Sequence, residues 1–341
     1  MGDGSTVLVT GGAGFIGSHT CLELLDRGYE VVVADNYSNS SPRALDRVQK
    51  LAGRPLLAYD VDLRDRHSLG EVFAGHSIDA VIHFAGKKAV GESVEIPLTY
   101  YDVNVGGTAV LLQLMATRGV HQLVFSSSCS IYGQNDWRLL DEGVAASPAN
   151  PYARSKWICE QMMADACARY GGLSVIALRY FNPAGAHPTG ELGEDPHGVP
   201  GNVMPYLAQV AIGRLDEIAI FGSDYPTPDG TCIRDYVHVV DIAEGHCLAL
   251  EHLADETGMR VFNLGSGRGV SVLGLVAAFG EACGIRLPYR LAERRPGDVA
   301  SLVADPRRVK AAWGWCATRD LAAMCADAWR FQELNPTGYA V

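Results

Sequence analysis

The stretch TVLVTGGAGFIGSH, residues 6–19, leaves a chain few ways to fold. A short apolar run ends in glycines, and FIGSHTCLELLDRG then takes up helical spacing and closes on a glycine. Gly11, Gly14 and Gly17 stand in G-x-x-G-x-x-G order between the two. Glycines at that place permit a tight strand-to-helix turn, close backbone approach and tight packing of helix on strand. The helix N-terminus adds N–H donors and a positive partial charge, which suits an anion. A purely structural turn is the plainer reading of such glycines, so the surrounding elements have to decide.

They do so by alternating. EVVVAD reads as a second buried strand, a third lies near LLAYDVD, and a helix begins near Arg66. DAVIHFAG, QLVFSSS and LSVIALRYF read as strands four to six. IPLTYYDVNVGGTAVLLQLMATRG reads as one long helix, and a polar loop over 133–150 leads to another. Continuous apolar strands alternating with helices predict an α/β fold: a Rossmann-like doubly wound parallel sheet covered on both faces. After residue 182 the chain turns rich in Gly, Pro and Asp, with helices predicted near 203–213, 239–253, 271–283 and 319–334 and a strand at VFNLGSG. We expect a dinucleotide-binding domain over 1–182, with a returning segment about 234–265, and a smaller α/β substrate-binding region over 183–233 and 266–341.

The net charge of −11 and the absence of a basic stripe argue against nucleic acid or an anionic membrane as partners. The nine cysteines are scattered without metal-type spacing, which predicts reduced thiols, a cytoplasmic protein and no metal. No leader pattern opens the sequence, and no apolar run is long enough to span a bilayer.

Asp35 closes the second strand. An acid there accepts from the ribose hydroxyls of NAD and repels the 2′-phosphate of NADP, and no arginine lies beside it, Arg43 being the nearest. Asp62 and Leu63 end the next strand, near where an adenine would lie; Phe84 and Ala85 end the fourth. In NPYARSK, Asn150 and Pro151 suit a helix start, which puts Tyr152 and Lys156 on one face, one turn apart. A lysine ammonium near a phenol favours the phenolate and pulls its pKa down, which would make Tyr152 a base. Ser128 and Ser130 stand at the end of strand five. Surface pairing and strand-end capping are the bland alternatives for these residues.

TGGAGFIG, HFAG, SSSCSIYG and PYARSK, in this order, resemble the extended short-chain dehydrogenase/reductases. HFAGKKAVGESV, RYFNPAGAHPTGELGEDPHG, IFGSDYPTPDGTCIRDYVHV and RRPGD resemble the branch of that family that epimerises UDP-hexoses at C4, over essentially the whole chain. The resemblance implies interconversion of UDP-glucose and UDP-galactose: reversible NAD-dependent oxidation at C4, rotation of the ketopyranose, and re-reduction. It implies Tyr152 as base, Lys156 as electrostatic partner and ribose ligand, and Ser128 as a hydrogen-bond partner of the 4-hydroxyl. Phe15, Ile16, Asp35, Asn36, Asn39, Asp62, Leu63, Phe84, Ala85, Lys88, Asn104 and Phe181 would line the NAD site. Asn182, Asn202, Arg234, Arg295 and Asp298 would hold the nucleotide sugar, with Phe221 packing on the uracil or in the core. Surface ion pairing is the competing account of the two arginines, and loop capping that of the asparagines. The family is usually a homodimer, joined through the helices after strands four and five.

Related 4,6-dehydratases carry an Asp-Glu pair where this chain has Cys129 and Ser130, and related decarboxylases a glutamate where it has Ser130. Leu302 stands where relatives differ between tyrosine and a small residue, which leaves UDP-GlcNAc and UDP-pentoses open as substrates. Lys87 beside Lys88 departs from the motif, and the segment from Gln134 to Ala149 matches it poorly. A non-catalytic NAD sensor is the rival from another class; such proteins tend to lose the tyrosine or lysine that this chain retains.

Overall fold

The strand–glycine–helix unit forms as read. In a computed structural model, which describes residues 4–134, 139–255, 257–295 and 298–339, β1 (Thr6–Thr10) runs through the glycines into α1 (Phe15–Asp26). Residues 135–138 of the polar loop and Pro296 and Gly297 of RRPGD lie outside the described residues.

The chain divides into two compact units. One holds the described residues up to Ile131 with Ala146–Arg179 and Ala243–Phe262; the other holds Tyr132–Ala145, Tyr180–Ile242 and the remainder from Asn263. In the first, β2 (Glu30–Asp35), β3 (Leu57–Asp60), β4 (Ala80–His83), β5 (Gln122–Ser128), β6 (Ser174–Tyr180) and β10 (Gly258–Leu264) join β1 in a seven-stranded sheet. Its order is β10–β6–β5–β4–β1–β2–β3, and the pairings from β3 through β5 are parallel. The order reverses between β1 and β4, and in such sheets ligands bind beyond the carboxyl ends of the strands at that point. This is the doubly wound arrangement that the alternation predicts. Leu8, Val32, Val81, Leu123 and Phe125 on the strands pack with Leu69, Leu111 and Met163 on helices in one buried cluster. Each such side chain contributes roughly 1.5–3 kcal/mol by leaving water.

The helices of this unit differ from the sequence reading in two places. Residues 42–52 form α2 (Pro42–Ala52), capped by Ser41, whose side chain accepts from the Arg43 N–H, and stopped by Gly53 in the left-handed region. The α3 helix (Arg66–Gly75), capped by Asp65, follows as expected. The long helix expected over residues 96–119 is broken. Short α4 (Val90–Glu95) and α5 (Pro97–Tyr100) lead into a π-helical turn, Tyr101–Gly106, and only then into α6 (Gly107–Arg118). A π turn inserts a residue into the helical ladder, and such turns cluster where a side chain has to be re-aimed; here it carries Asn104. The α7 helix (Pro151–Arg169) begins as predicted, with the Asn150 side chain accepting from Ala153 N–H at 2.9 Å.

In the second unit, β7 (Asn182–Ala184), β11 (Gly269–Ser271) and β13 (Ser301–Leu302) pair with β9 (Ile233–His238), and β8 (Ile218–Phe221) pairs with β12 (Tyr289–Ala292). Helices α8 (Val203–Ala211), α10 (Val272–Cys283) and α12 (Leu321–Leu334) bury Leu207, Leu275, Phe279 and Met324 against Ile220 and Tyr236. The remaining helices are α9 (Val239–His252), which runs from the second unit into the first, and α11 (Arg307–Trp313) in the second. No helix of the described residues is long and apolar enough to cross a membrane.

His83 at the end of β4 ties the sheet to α6: its ring nitrogens meet the Thr10 hydroxyl at 2.7 Å and the Thr108 hydroxyl at 2.9 Å. Burial, reinforced by Lys156, pushes its pKa from 6.5 down to about 3. The unfolded chain therefore takes the proton first as pH falls through 6.5, and stability is lost progressively toward pH 3. At about pH 4.5 the loss from this group is roughly 2–3 kcal/mol. Denaturant titrations of His83→Gln should show a shallower acid limb than the wild type by that amount. An identical limb would exclude His83 as its source.

Candidate active site

Tyr152 and Lys156 project from the first turns of α7 toward the end of β5. The lysine is 6% exposed. Its Nζ donates to the Ser126 carbonyl at 2.7 Å and lies 4.9 Å from the centre of the Phe125 ring. Burial lowers its pKa from 10.5 to about 8, with Cys159 and Glu160 opposing. The Ser128 hydroxyl acts on the Tyr152 phenol to lower its pKa, and Ser128 Oγ lies 2.8 Å from Ser130 Oγ. Part of the tyrosine reaches solvent, yet protein surrounds the ring, and this desolvation pushes the phenol up to about 12 in spite of the serine. The expected depression by Lys156 is thus not what the protein alone produces. Its ammonium is turned to the Ser126 carbonyl, and burial dominates the phenol.

The glycine cradle is enforced by contact. A Cβ on Gly11, whose φ is +71°, would sit 2.6 Å from Ala85 N, and one on Gly17 would sit 2.2 Å from the Gly11 carbonyl oxygen. Gly14 is the N-cap of α1 and supplies no side-chain cap, so that helix end presents bare N–H groups. Asp35, 7% exposed, accepts from Ala13 N–H through Oδ2 and from Tyr37 N–H and the Ser40 hydroxyl through Oδ1, each at 2.9 Å. Oδ1 is filled by these two donors, and Oδ2 retains one acceptor site, short of the two free ones that paired ribose hydroxyls would use. A turn closed to side chains at Gly11 and Gly17, an uncapped helix start and an acid at the next strand end fit a dinucleotide.

The other residues expected to line the cofactor fall into two sets. Asn36 donates to Asp62 at 2.9 Å, and Arg64 holds the Asp62 carboxyl well below the usual carboxylate range. Phe15 packs edge-on against His19, Phe84 lies 4.6 Å from the His246 ring, and Ile16 and Ala85 are half-buried. Asn39 and Lys88 are exposed. Leu63, by contrast, is a core residue, and Phe181 in the second unit is 2% exposed with its ring stacked on Tyr132; neither has much surface left for a ligand. Asn104 works as a staple. Its Oδ1 accepts from Lys87 N–H at 2.8 Å, and its Nδ2 donates to the Lys87 carbonyl at 3.0 Å and to Ser155 Oγ at 2.9 Å. Both amide donors are engaged in holding the loop after β4 to the first turn of α7. Lys87 itself pairs with Glu92 at 3.1 Å, so its charge is balanced locally.

In the second unit, Arg234 donates to the Ile233 and Val299 carbonyls at 2.9 and 2.8 Å, and its other nitrogen is 3.9 Å from Asp298. Asp235 is not its partner: that buried carboxylate accepts from Ser266, Gly267 and Ala304. Arg295 lies 3.8 Å over the face of Phe221, which occupies the ring surface expected for a base. Asn182 begins β7 instead of a loop. Asn202 is the N-cap residue of α8 but does not cap it; its amide donates to Glu194 at 2.7 Å. Leu302 is buried on β13, in register with Arg234.

Sequence reasoning passed over Ser126, which acts through its carbonyl and carries no side-chain signal, and Glu194, whose partner is set by the fold. It also passed over Ser155, whose place beside Tyr152 was visible but whose bond to Asn104 depends on the π turn.

Proteins similar to this chain match it along nearly its whole length. A UDP-glucose 4-epimerase of Bacillus subtilis (strain 168) is 54% identical over 333 residues, 98% of either chain. One of Homo sapiens is 50% identical over 340 residues, again 98% of either chain. The crystal structure of UDP-glucose 4-epimerase from Bifidobacterium longum in complex with NAD+ and UDP superposes with a TM-score of 0.96 at 47% identity, over 98% of this chain and all of that one. The profile of the NAD dependent epimerase/dehydratase family matches residues 7–265, from the first strand past the returning one. With the glycine cradle, the switch-point sheet and the Tyr–Lys turn all inside that span, the chain belongs to the NAD dependent epimerase/dehydratase family.

Proposed function

We propose that this protein is an isomerase that interconverts UDP-glucose and UDP-galactose, with NAD bound in the first unit and the UDP-hexose held by residues of the second. The observation that carries the reading is Tyr152 standing with buried Ser128 and Lys156 at the strand ends of a sheet whose first turn is closed to side chains at Gly11 and Gly17. Identities of 50% and more to UDP-glucose 4-epimerases along the whole chain support the substrate.

Bound NAD would supply the oxidation of C4 to a ketone and its re-reduction from the opposite face. The chain's own residues move the proton. Tyr152 exchanges it with the 4-hydroxyl, and Ser128 orients that hydroxyl and lowers the phenol's pKa by donating to it. Lys156 places a fixed positive charge one turn away. Asp35, the α1 N-terminus and Asn36 with Asp62 would hold the dinucleotide. Arg234, Arg295, Asn182, Asn202 and Asp298 would hold the UDP, the arginines by forked, charge-assisted bonds to the diphosphate. The absence of an acidic pair at Cys129 and Ser130 argues against dehydration. We read the protein as a cytoplasmic homodimer; its nine free thiols suit a reducing compartment, and the family likeness supports the dimer.

Tyr152→Phe should lower the rate of UDP-galactose conversion by about 10²–10⁴-fold, measured with no NAD added, while the purified protein still carries NAD. Turnover equal to wild type would remove Tyr152 as the base.

Lys156 should be costly to stability. Its folded pKa of about 8 lies below its ordinary 10.5, so the native state bears a buried charge at neutral pH and is relieved of it only as pH rises from 8 to 10.5. Lys156→Met should therefore abolish activity yet stabilise the cofactor-free protein by roughly 2 kcal/mol at neutral pH, after allowance for the lost bond to Ser126. That gain should fade above about pH 8 in denaturant titrations; a variant less stable than wild type at every pH would contradict it.

A further inference from the structure

Beneath the candidate catalytic pair lies a polar network that the reaction as described does not use. The Ser127 hydroxyl donates to Glu160 Oε1 at 2.5 Å. Arg179 on β6 grips the same carboxylate from the other side, Nε to Oε1 at 2.9 Å and Nη2 to Oε2 at 2.6 Å. The arginine side chain is 5% exposed and the glutamate 1%. Side chains alternate along a strand, so Ser127 faces away from its neighbour Ser128. That neighbour lowers the pKa of Tyr152, and the carbonyl of the preceding Ser126 takes the Lys156 ammonium. Glu160 sits one helical turn beyond Lys156 and two beyond Tyr152. The strand end that supplies both partners of the catalytic pair is therefore pinned to the helix that supplies the pair.

We propose that the Ser127–Glu160–Arg179 network is a positioning device for catalysis: it fixes the end of β5 against α7, and it keeps a negative charge one turn from Lys156. A buried ion pair is a poor stabiliser compared with apolar side chains of the same volume, which makes a purely structural purpose a weak account of this one. The titratable groups acting on Lys156 are Glu160 and Cys159 on its own helix and His83 on β4; those around Glu160 are Arg179, Lys156 and Cys159. Burial raises Cys159 and lowers His83, so both are neutral near pH 7. Glu160 is the negative charge in the set, and its removal would leave the Arg179 guanidinium facing the lysine without balance.

This inference rests on Tyr152 and Lys156 being the catalytic pair, and its test separates the two ideas. The NAD-loaded protein is labelled with 13C at lysine Cε, and the Lys156 signal, identified by its loss in Lys156→Met, is titrated by NMR. In Glu160→Gln the Lys156 midpoint should fall by about one pH unit, and kcat for UDP-galactose near pH 8 should drop about tenfold with KM little changed. Glu160→Gln/Arg179→Met, a neutral swap that preserves volume, guards against a single variant that fails to fold; it should lower the midpoint by a smaller amount. Ser127→Ala retains both charges and should lower kcat severalfold without moving the midpoint. If the double variant and Ser127→Ala both fold and match wild type in midpoint and kcat, the network is packing alone and the proposal is wrong. If the midpoint moves as stated but no variant, wild type included, epimerises UDP-galactose, the functional reading fails and the electrostatic one stands.

Discussion

Lys156 carries an ammonium into protein, and much of the first unit is arranged around that fact. The ion has a carbonyl at 2.7 Å and an aromatic face at 4.9 Å in place of water. A strand must therefore end where Ser126 can offer its carbonyl, and Phe125 must point its ring the same way. Gly86 leaves little room: a Cβ there would come 3.0 Å from Asn104 Oδ1, tight against the staple. Asn104 reaches that place from a π turn, and its amide ties the Gly86–Lys88 segment to Ser155. Strand end, loop, distorted helix and α7 thus converge on one charge.

The parts of this fold that show in the sequence are those with a local cause. Gly11 and Gly17 are dictated by contacts of 2.6 and 2.2 Å, and the apolar strands by burial on both faces. The start of α7 is dictated by Asn150 and Pro151. The α2 helix was equally legible, with a cap, a first-turn proline, a glycine stop and an apolar stripe through Ala44, Leu45, Val48 and Leu51, and sequence reasoning passed it over. The break at residues 101–106 had no such mark. Its residues, YDVNVG, are all weak helix formers, but weak propensity alone does not distinguish a π turn from a continuous helix. In the second unit, β11 has three residues and β13 two, too short for a period of two to register.

The same division runs through the candidate site. The spacing of Tyr152 and Lys156 is a property of a helix and could be read directly. Their protonation is not, since a phenol pushed up to about 12 and a lysine down to about 8 reflect desolvation by segments distant in sequence. Asn104 and Leu63 were visible as motif positions, but only the fold shows that one staples a loop and the other fills the core.

The second unit sorts its charges in a way that bears on an anionic ligand. Asp235 accepts four bonds, three of them from backbone N–H groups, and Asp241 is met by Thr318 and Arg319. These acids are committed to the fold. The two candidate arginines are held differently: Arg234 by carbonyls and a carboxylate 3.9 Å away, Arg295 by the face of Phe221. Carbonyl and ring contacts do not neutralise a guanidinium, and a forked bond to a diphosphate is roughly twice as strong as a neutral one. A diphosphate can therefore take over both side chains at little expense to the fold, whereas it could not recruit an arginine already locked to a buried acid. Asp235 and Asp241 are satisfied by other donors, so neither competes for Arg234 or Arg295.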